Sequence, residues 1–133
     1  MDLETLNKHY DLVQKLKKAR ELYKTTEAKS LGAQSLDGMP HGTGVSDKVG
    51  VLAAALADIT GQVGFLEKQV DESAALIEEF IAEIPNLKTR LIFRYRFLGG
   101  MSWGEVAGMF DIGTSENSVK STCYDYMENM KKA

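Results

Sequence analysis

Seven residues near the C-terminus, Ser115, Glu116, Asn117, Ser118, Lys120, Ser121 and Tyr124, have the hydrogen-bonding range of a base-reading surface. An Asn side chain can bond adenine through two atoms at once. Ser serves several bases, and Glu can accept from the cytosine amino group. These residues alternate at helical spacing with Val119, Cys123, Tyr126 and Met130, which step by four, three and four. The spacing predicts one helix with an apolar face inward and a polar face outward. Cations suited to phosphate flank it in sequence: Arg90, Arg94 and Arg96 before, Lys131 and Lys132 after.

The elements that must position this helix are legible just upstream. Ser102-x-x-Glu105 is a capping box, so a short helix is predicted from Trp103, with Val106, Ala107 and Phe110 inside. Asp111-Ile112-Gly113 turns the chain, and the polar helix begins near Thr114 or Ser115. Ala107 is small where two helices must cross closely. Two short helices joined in this way have the layout of a helix-turn-helix, which in DNA-binding domains places the second helix in the major groove; the same pair is also common in helical domains that bind no DNA. Gly104 costs little in a first turn. Gly108 is either a position of close approach or an exposed penalty of about 1 kcal/mol. Tyr124 is placed to reach DNA, whereas Trp103 is expected to pack near Tyr95 or Leu98.

A preceding helix, "LKTRLIFRYRFL", is capped by Asn86 and closed by Gly99-Gly100. Leu87, Leu91, Tyr95 and Leu98 give it an apolar stripe with Ile92 beside it. Arg90 and Arg94 share one side, and Arg96 lies further around.

The first 85 residues read differently. Positions 3–30 carry a helical stripe of Leu3, Leu6, Tyr10, Val13, Leu16 and Tyr23, flanked by Lys15, Lys17, Lys18 and Arg20 as a solvated face. A Gly-rich connector is expected over 31–45. Ser46, followed by Asp47, can cap a second helix over about 46–84. That helix has a heptad-like rhythm through Leu52, Leu56, Ile59, Val63, Leu66, Val70, Ile77, Ile81 and Ile84. It would be roughly 50 Å long and cannot bury its stripe alone. Its partner is either the first helix, folded back as an antiparallel hairpin, or a second copy of the chain. Gly61 and Gly64 weaken it or admit a close neighbour. Pro85 stops it, at the point where net charge changes sign. Residues 1–85 hold nine Lys/Arg against fourteen Asp/Glu, and residues 86–133 hold seven against five.

The fold expected is therefore all-α: a long N-terminal helical hairpin or coiled coil over 1–85, then a tri-helical helix-turn-helix domain over 86–133. Other chemistry finds little support. The connector lacks Gly-Lys-Ser/Thr and a preceding strand, so a nucleotide site is not expected. His9 and His41 have no Cys or acidic cluster, so neither metal nor cofactor is expected. No nucleophile–base pair suggests an enzyme, and Cys123 falls on a core-facing stripe. No unbroken apolar run approaches 18 residues, so no membrane span is expected. One cysteine and no signal-like N-terminus suit the cytoplasm.

The segment "TRLIFRYRFLGGMSWGEVAGMFDIGTSENSVKS" resembles the last DNA-binding region of bacterial sigma factors. Arg94-Tyr95, Gly99 or Gly100, Ser102, Glu105, Val106, Ala107, Phe110, Glu116, Val119, Lys120 and Ser121 occupy matching roles. The chain as a whole is similar to small phage and prophage proteins of the sigma-like and ArpU-type regulator families, whose connector "GTGVSDKVG" at 42–50 resembles. Between Ala107 and Val119 the chain is two residues longer than the common sigma pattern, and it carries only Lys120 as a cation in the first half of the second helix. The resemblance implies a transcription regulator in a bacterial host. Double-stranded DNA would be its partner, and RNA polymerase and a second copy of the chain are further candidates. It does not extend to the promoter-opening part of a sigma factor.

Overall fold

The computed structural model describes residues 1–35 and 44–132. They form α1 (Leu3–Ser35), α2 (Gly44–Ala82), α3 (Leu87–Phe93), α4 (Trp103–Gly108) and α5 (Glu116–Lys132); a π-helical turn, Arg94–Leu98, extends α3 directly. The protein is all-α, with no strand among the described residues. Helix α1 continues past the expected stop at 30, through Gly32, to Ser35. A single helical Gly costs about 1 kcal/mol and does not end a helix of this length. Helix α2 starts at Gly44, two residues before the expected cap position, Ser46. The rest of the expected connector, with Pro40 and His41, lies outside the described residues.

The chain forms two compact units, Lys15–Lys68 and Met1–Gln14 with Gln69–Ala133. This division differs from the expected one at Pro85. Its physical reason is that the ends of both long helices supply core residues to the C-terminal elements, as described below.

In the Lys15–Lys68 unit, α1 and α2 run antiparallel. Leu16, Ala19 and Leu66 are buried, and Leu52, Leu56, Ile59 and Val63 are half-buried. Arg20 pairs with Glu67 at 3.0 Å, an exposed contact that contributes at most about 1 kcal/mol. The other side of α2 is open: Gly50, Gly61 and Gly64 have no atom within 4 Å of a hypothetical Cβ, and Val51 and Phe65 are exposed. The Lys48–Ala82 part of α2, with mean hydropathy 1.6 over its most apolar window, is long and apolar enough by length and composition to cross a membrane. Looking only for unbroken apolar runs overlooked this, because Thr60, Gln62 and the glycines interrupt the run without making it polar on average.

The second unit holds the main core. Leu6 of α1, Ile77 and Ile81 at the end of α2 and Ile84 just after it pack with Ile92, Phe93 and Phe97. Trp103, Val106 and Ala107 of α4 and Val119, Cys123 and Met127 of α5 complete it. Each large side chain so buried contributes about 1.5–3 kcal/mol. The Phe93 ring lies 5.5 Å from Tyr126 and 5.6 Å from Phe97, centroid to centroid. The buried stripe of α3 is therefore Ile92, Phe93 and Phe97. Of the stripe expected from sequence, Leu87 is exposed, and Leu91, Tyr95 and Leu98 are only half-buried. The helix has apolar residues on two faces, and the face with the aromatic rings meets α2 and α5.

Asn86 caps α3, its Oδ1 accepting from the Thr89 amide at 3.0 Å. At the far end the Gly99 amide donates to the Arg94 carbonyl, five residues back, at 2.9 Å. Gly100 adopts φ 66°, in the left-handed region where a side chain is costly. Its carbonyl accepts from Gln14 Nε2 of α1 at 2.7 Å. The N-terminal helix thus covers the exit of α3.

Candidate nucleic-acid interface

Helix α4 starts as the sequence predicts. The Glu105 amide donates to Ser102 Oγ at 3.2 Å and the Ser102 amide to Glu105 Oε1 at 3.1 Å. The chain then leaves α4 and turns through Gly113, at φ 102°. The Thr114 amide donates to the Asp111 carbonyl at 3.0 Å within this turn. Ile112 is fully exposed there. Ser115 caps α5, its Oγ accepting from the Ser118 amide at 3.0 Å.

The buried side of α5 is Val119, Cys123 and Met127, with Tyr126 half-buried. Met130, expected inside, is exposed. Met130 lies eleven residues, about three turns, from Val119 and so on the same side of the helix, but it falls beyond Met127, the last buried core residue of α5. Ser115, Glu116, Asn117, Ser118, Lys120, Ser121 and Tyr124 are all exposed, and α5 brings them together on its leading turns and outer face. Asn117 and Ser121 lie opposite the buried stripe. Asp125 and Glu128, which the sequence reading did not weigh, are exposed on the same outer side.

Tyr124 spans from α5 to α4. Its ring meets Trp103 edge-on at 6.1 Å, and Lys120 Nζ lies 5.8 Å from its centroid. Trp103 is buried against Tyr124 and Arg96. Tyr95, one of its expected neighbours, instead meets Phe110 at 5.9 Å. A Cβ on Gly104 would meet Glu116 Oε2 and Ser102 Oγ only at van der Waals distance, 3.9 Å, and one on Gly108 would meet nothing within 4 Å. Of the two readings of Gly108, exposure holds and close packing does not.

The expected phosphate contacts separate into three kinds. Arg96 is half-buried between two rings, its guanidinium carbon 3.7 Å from the Tyr10 centroid and 4.4 Å from that of Trp103. It donates to the Met101 carbonyl at 3.1 Å. Arg96 is held in packing, and the expectation that it meets phosphate is corrected. The π-helical turn and Tyr10 are what draw it in, and neither is visible in local periodicity. Arg94 donates to Glu78 of α2 at 2.7 Å while remaining partly exposed. Arg90, Lys131 and Lys132 have no ion pair among the described residues; Arg90 is half-exposed and the two lysines are fully outside. Lys88 is a cation the sequence reading did not single out. It is exposed, with Nζ 5.5 Å from the Phe110 ring beside the turn.

Among the described residues no three His, Cys, Asp or Glu side chains group as metal ligands. Burial pushes the Cys123 thiol up to about 12, with Arg96 opposing slightly, so it stays protonated and inert. His9 is buried, its Nδ1 bonded to Ser73 Oγ. Burial lowers its pKa, and its bond to the Phe97 backbone opposes this. The face formed by α4, the turn and α5 can therefore present hydrogen-bonding groups to a surface.

No family model, curated protein or solved structure matches the chain.

Proposed function

We propose that the chain is a sequence-specific DNA-binding regulator of phage or prophage type, acting in the bacterial cytoplasm without a cofactor. One observation carries this reading. A capped α4, a turn through left-handed Gly113 and a Ser115-capped α5 leave the polar leading turns of α5 wholly exposed, opposite a buried Val119–Cys123–Met127 stripe. In a major groove, Asn117 pairs with adenine, and Ser118, Ser121 and Glu116 meet neighbouring base edges. Lys120 and Tyr124 flank them. Lys88, Arg90, Lys131 and Lys132 contact phosphate, with Arg94 joining when Glu78 releases it. Selection from a random duplex library tests this. An enriched motif is expected, with relaxed preference at one base pair in Asn117→Ala and weaker binding in Lys120→Ala. If both variants behave as the parent does, the site assignment is wrong.

A second reading is favoured by a different observation. Residues 49–66 of α2 carry one charge, Asp58, and expose Val51 and Phe65. A large exposed apolar face points to a protein partner, either a second copy or RNA polymerase. Two-fold dimers would pair two helix-turn-helix ends on an inverted repeat. Sedimentation of the purified chain separates these: a concentration-dependent dimer supports self-association, and a monomer leaves a heterologous partner to be sought by polymerase pull-down.

A further inference from the structure

The helix that would read DNA carries no net positive charge to hold it. Helix α5 carries Lys120, Lys131 and Lys132 against Glu116, Asp125 and Glu128, a net of zero. Arg94 is committed to Glu78 and Arg96 to the Tyr10–Trp103 sandwich. The chain as a whole is acidic, at −3. Yet residues 15–29 of α1 hold six Lys/Arg against two Asp/Glu, a surplus of four. Arg20 is paired with Glu67 there. Lys15, Lys18 and Lys29 are exposed and have no ion pair among the described residues.

These three lysines share one side of α1, because steps of three and eleven return close to the same helical angle. The buried residues Leu16, Ala19 and Ser30 lie elsewhere around the helix. From Lys15 to Lys29 the ridge is about 21 Å long at the helical rise. Duplex DNA of that length presents about twelve phosphates. An ordinary solvated helix face mixes signs at a spacing of three or four. Here Asp11, four before Lys15, and Glu21, three after Lys18, border the lysines, and residues 15–29 keep their surplus of four positive charges.

We propose that Lys15, Lys18 and Lys29 form a second nucleic-acid surface that binds the duplex phosphate backbone without regard to sequence. It supplies the attraction that α5 lacks, while α5 supplies the discrimination. The proposal rests on the DNA-binding reading, since it assigns that reading's electrostatic part to a different unit of the chain.

The test measures duplex affinity of the full chain against salt concentration, on the selected motif and on a scrambled duplex. The parent is compared with Lys15→Gln/Lys18→Gln/Lys29→Gln, with the same three positions changed to Arg, and with Asn117→Ala. Helical content and melting temperature confirm that each variant is folded. The Gln variant is expected to lose affinity for both duplexes, and its log–log salt slope to fall by up to ~2.7, at ~0.9 per phosphate contact. The Arg variant restores both. Asn117→Ala loses preference for the motif and keeps the slope. A Gln variant with the parent's slope overturns the ridge while leaving the DNA reading in place. A salt-dependent affinity lost with the lysines, but with no enriched motif, supports the ridge and overturns base reading by α5. A folded parent that binds neither duplex overturns both.

Discussion

The guanidinium carbon of Arg96 lies 3.7 Å from the centroid of the Tyr10 ring, so an arginine just before α4 is anchored to the first helix of the chain. The Trp103 ring centroid lies 4.4 Å from the same carbon. Arg96 Nε is enclosed without a hydrogen-bond partner among the described residues, while Arg96 Nη1 donates to the Met101 carbonyl.

Arg96→Ala is therefore expected to cost stability. Two partly desolvated cation–π contacts and one charge-assisted hydrogen bond suggest about 2–4 kcal/mol. Arg96→Lys should recover little of this, because an ammonium cannot lie flat between two rings. Urea unfolding measures the loss. The DNA salt slope of folded Arg96→Ala should equal the parent's, whereas Arg90→Ala should lower it by about 0.9. A lowered slope in Arg96→Ala would restore it as a phosphate contact.

His9 gives a pH dependence with a definite sign. Burial lowers its pKa below the ordinary 6.5 in the folded chain. Between the folded and unfolded values, the unfolded chain binds the proton that the folded chain refuses. Stability is complete above about 6.5 and falls as pH falls through the window below it. The melting temperature of the parent should drop on acidification more steeply than that of His9→Gln. Parallel curves would show that His9 does not titrate between the two states.

Two glycines should respond in opposite directions to the same change. A Cβ on Gly108 meets nothing within 4 Å, so Gly108→Ala should stabilise by about 0.4–1 kcal/mol through the unfolded state. A Cβ on Gly99 would sit 2.6 Å from the Tyr95 carbonyl oxygen. Gly99→Ala must push the backbone at the end of the π-helical turn, and should cost more than about 1 kcal/mol. Calorimetry of the two variants reads both signs. Equal shifts would mean that the exit of α3 tolerates a side chain.

Local chemistry explains which parts of this could be foreseen. The Ser102–Glu105 box, the Asn86 cap and the Gly113 turn each follow from residues within four positions of one another, and each is present. The exposed set on α5 was legible for the same reason: one buried stripe fixes its opposite face. What escaped depends on distant partners. Phe93 and Phe97 outcompete Leu87 and Leu91 because α2 and α5 meet the aromatic side of α3. Arg96 reads as a free cation until Tyr10, 86 positions away, is placed against it. Nothing in the residues around His9 and Gln14 marks either as a buried or bridging group. Only the fold shows them bonded to Ser73 and the Gly100 carbonyl.

The same long-range packing predicts what happens when the C-terminal part is isolated. A fragment of residues 86–133 keeps α3, α4 and α5 and every residue assigned to base reading. It loses Leu6, Ile77, Ile81 and Ile84, all fully buried in the intact chain. Phe93 then loses Phe80, 5.9 Å away, and Arg96 loses Tyr10. At 1.5–3 kcal/mol for each large apolar side chain, the four aliphatic residues alone remove about 6–12 kcal/mol, comparable with the whole stability of a small domain. The fragment should melt without a cooperative transition and show poor amide dispersion by NMR. It should bind duplex DNA weakly for that reason, although its proposed reading face is complete. A fragment that melts cooperatively would show that α3, α4 and α5 form a core without α1 and α2. The boundary at Pro85 would then be the functional one after all.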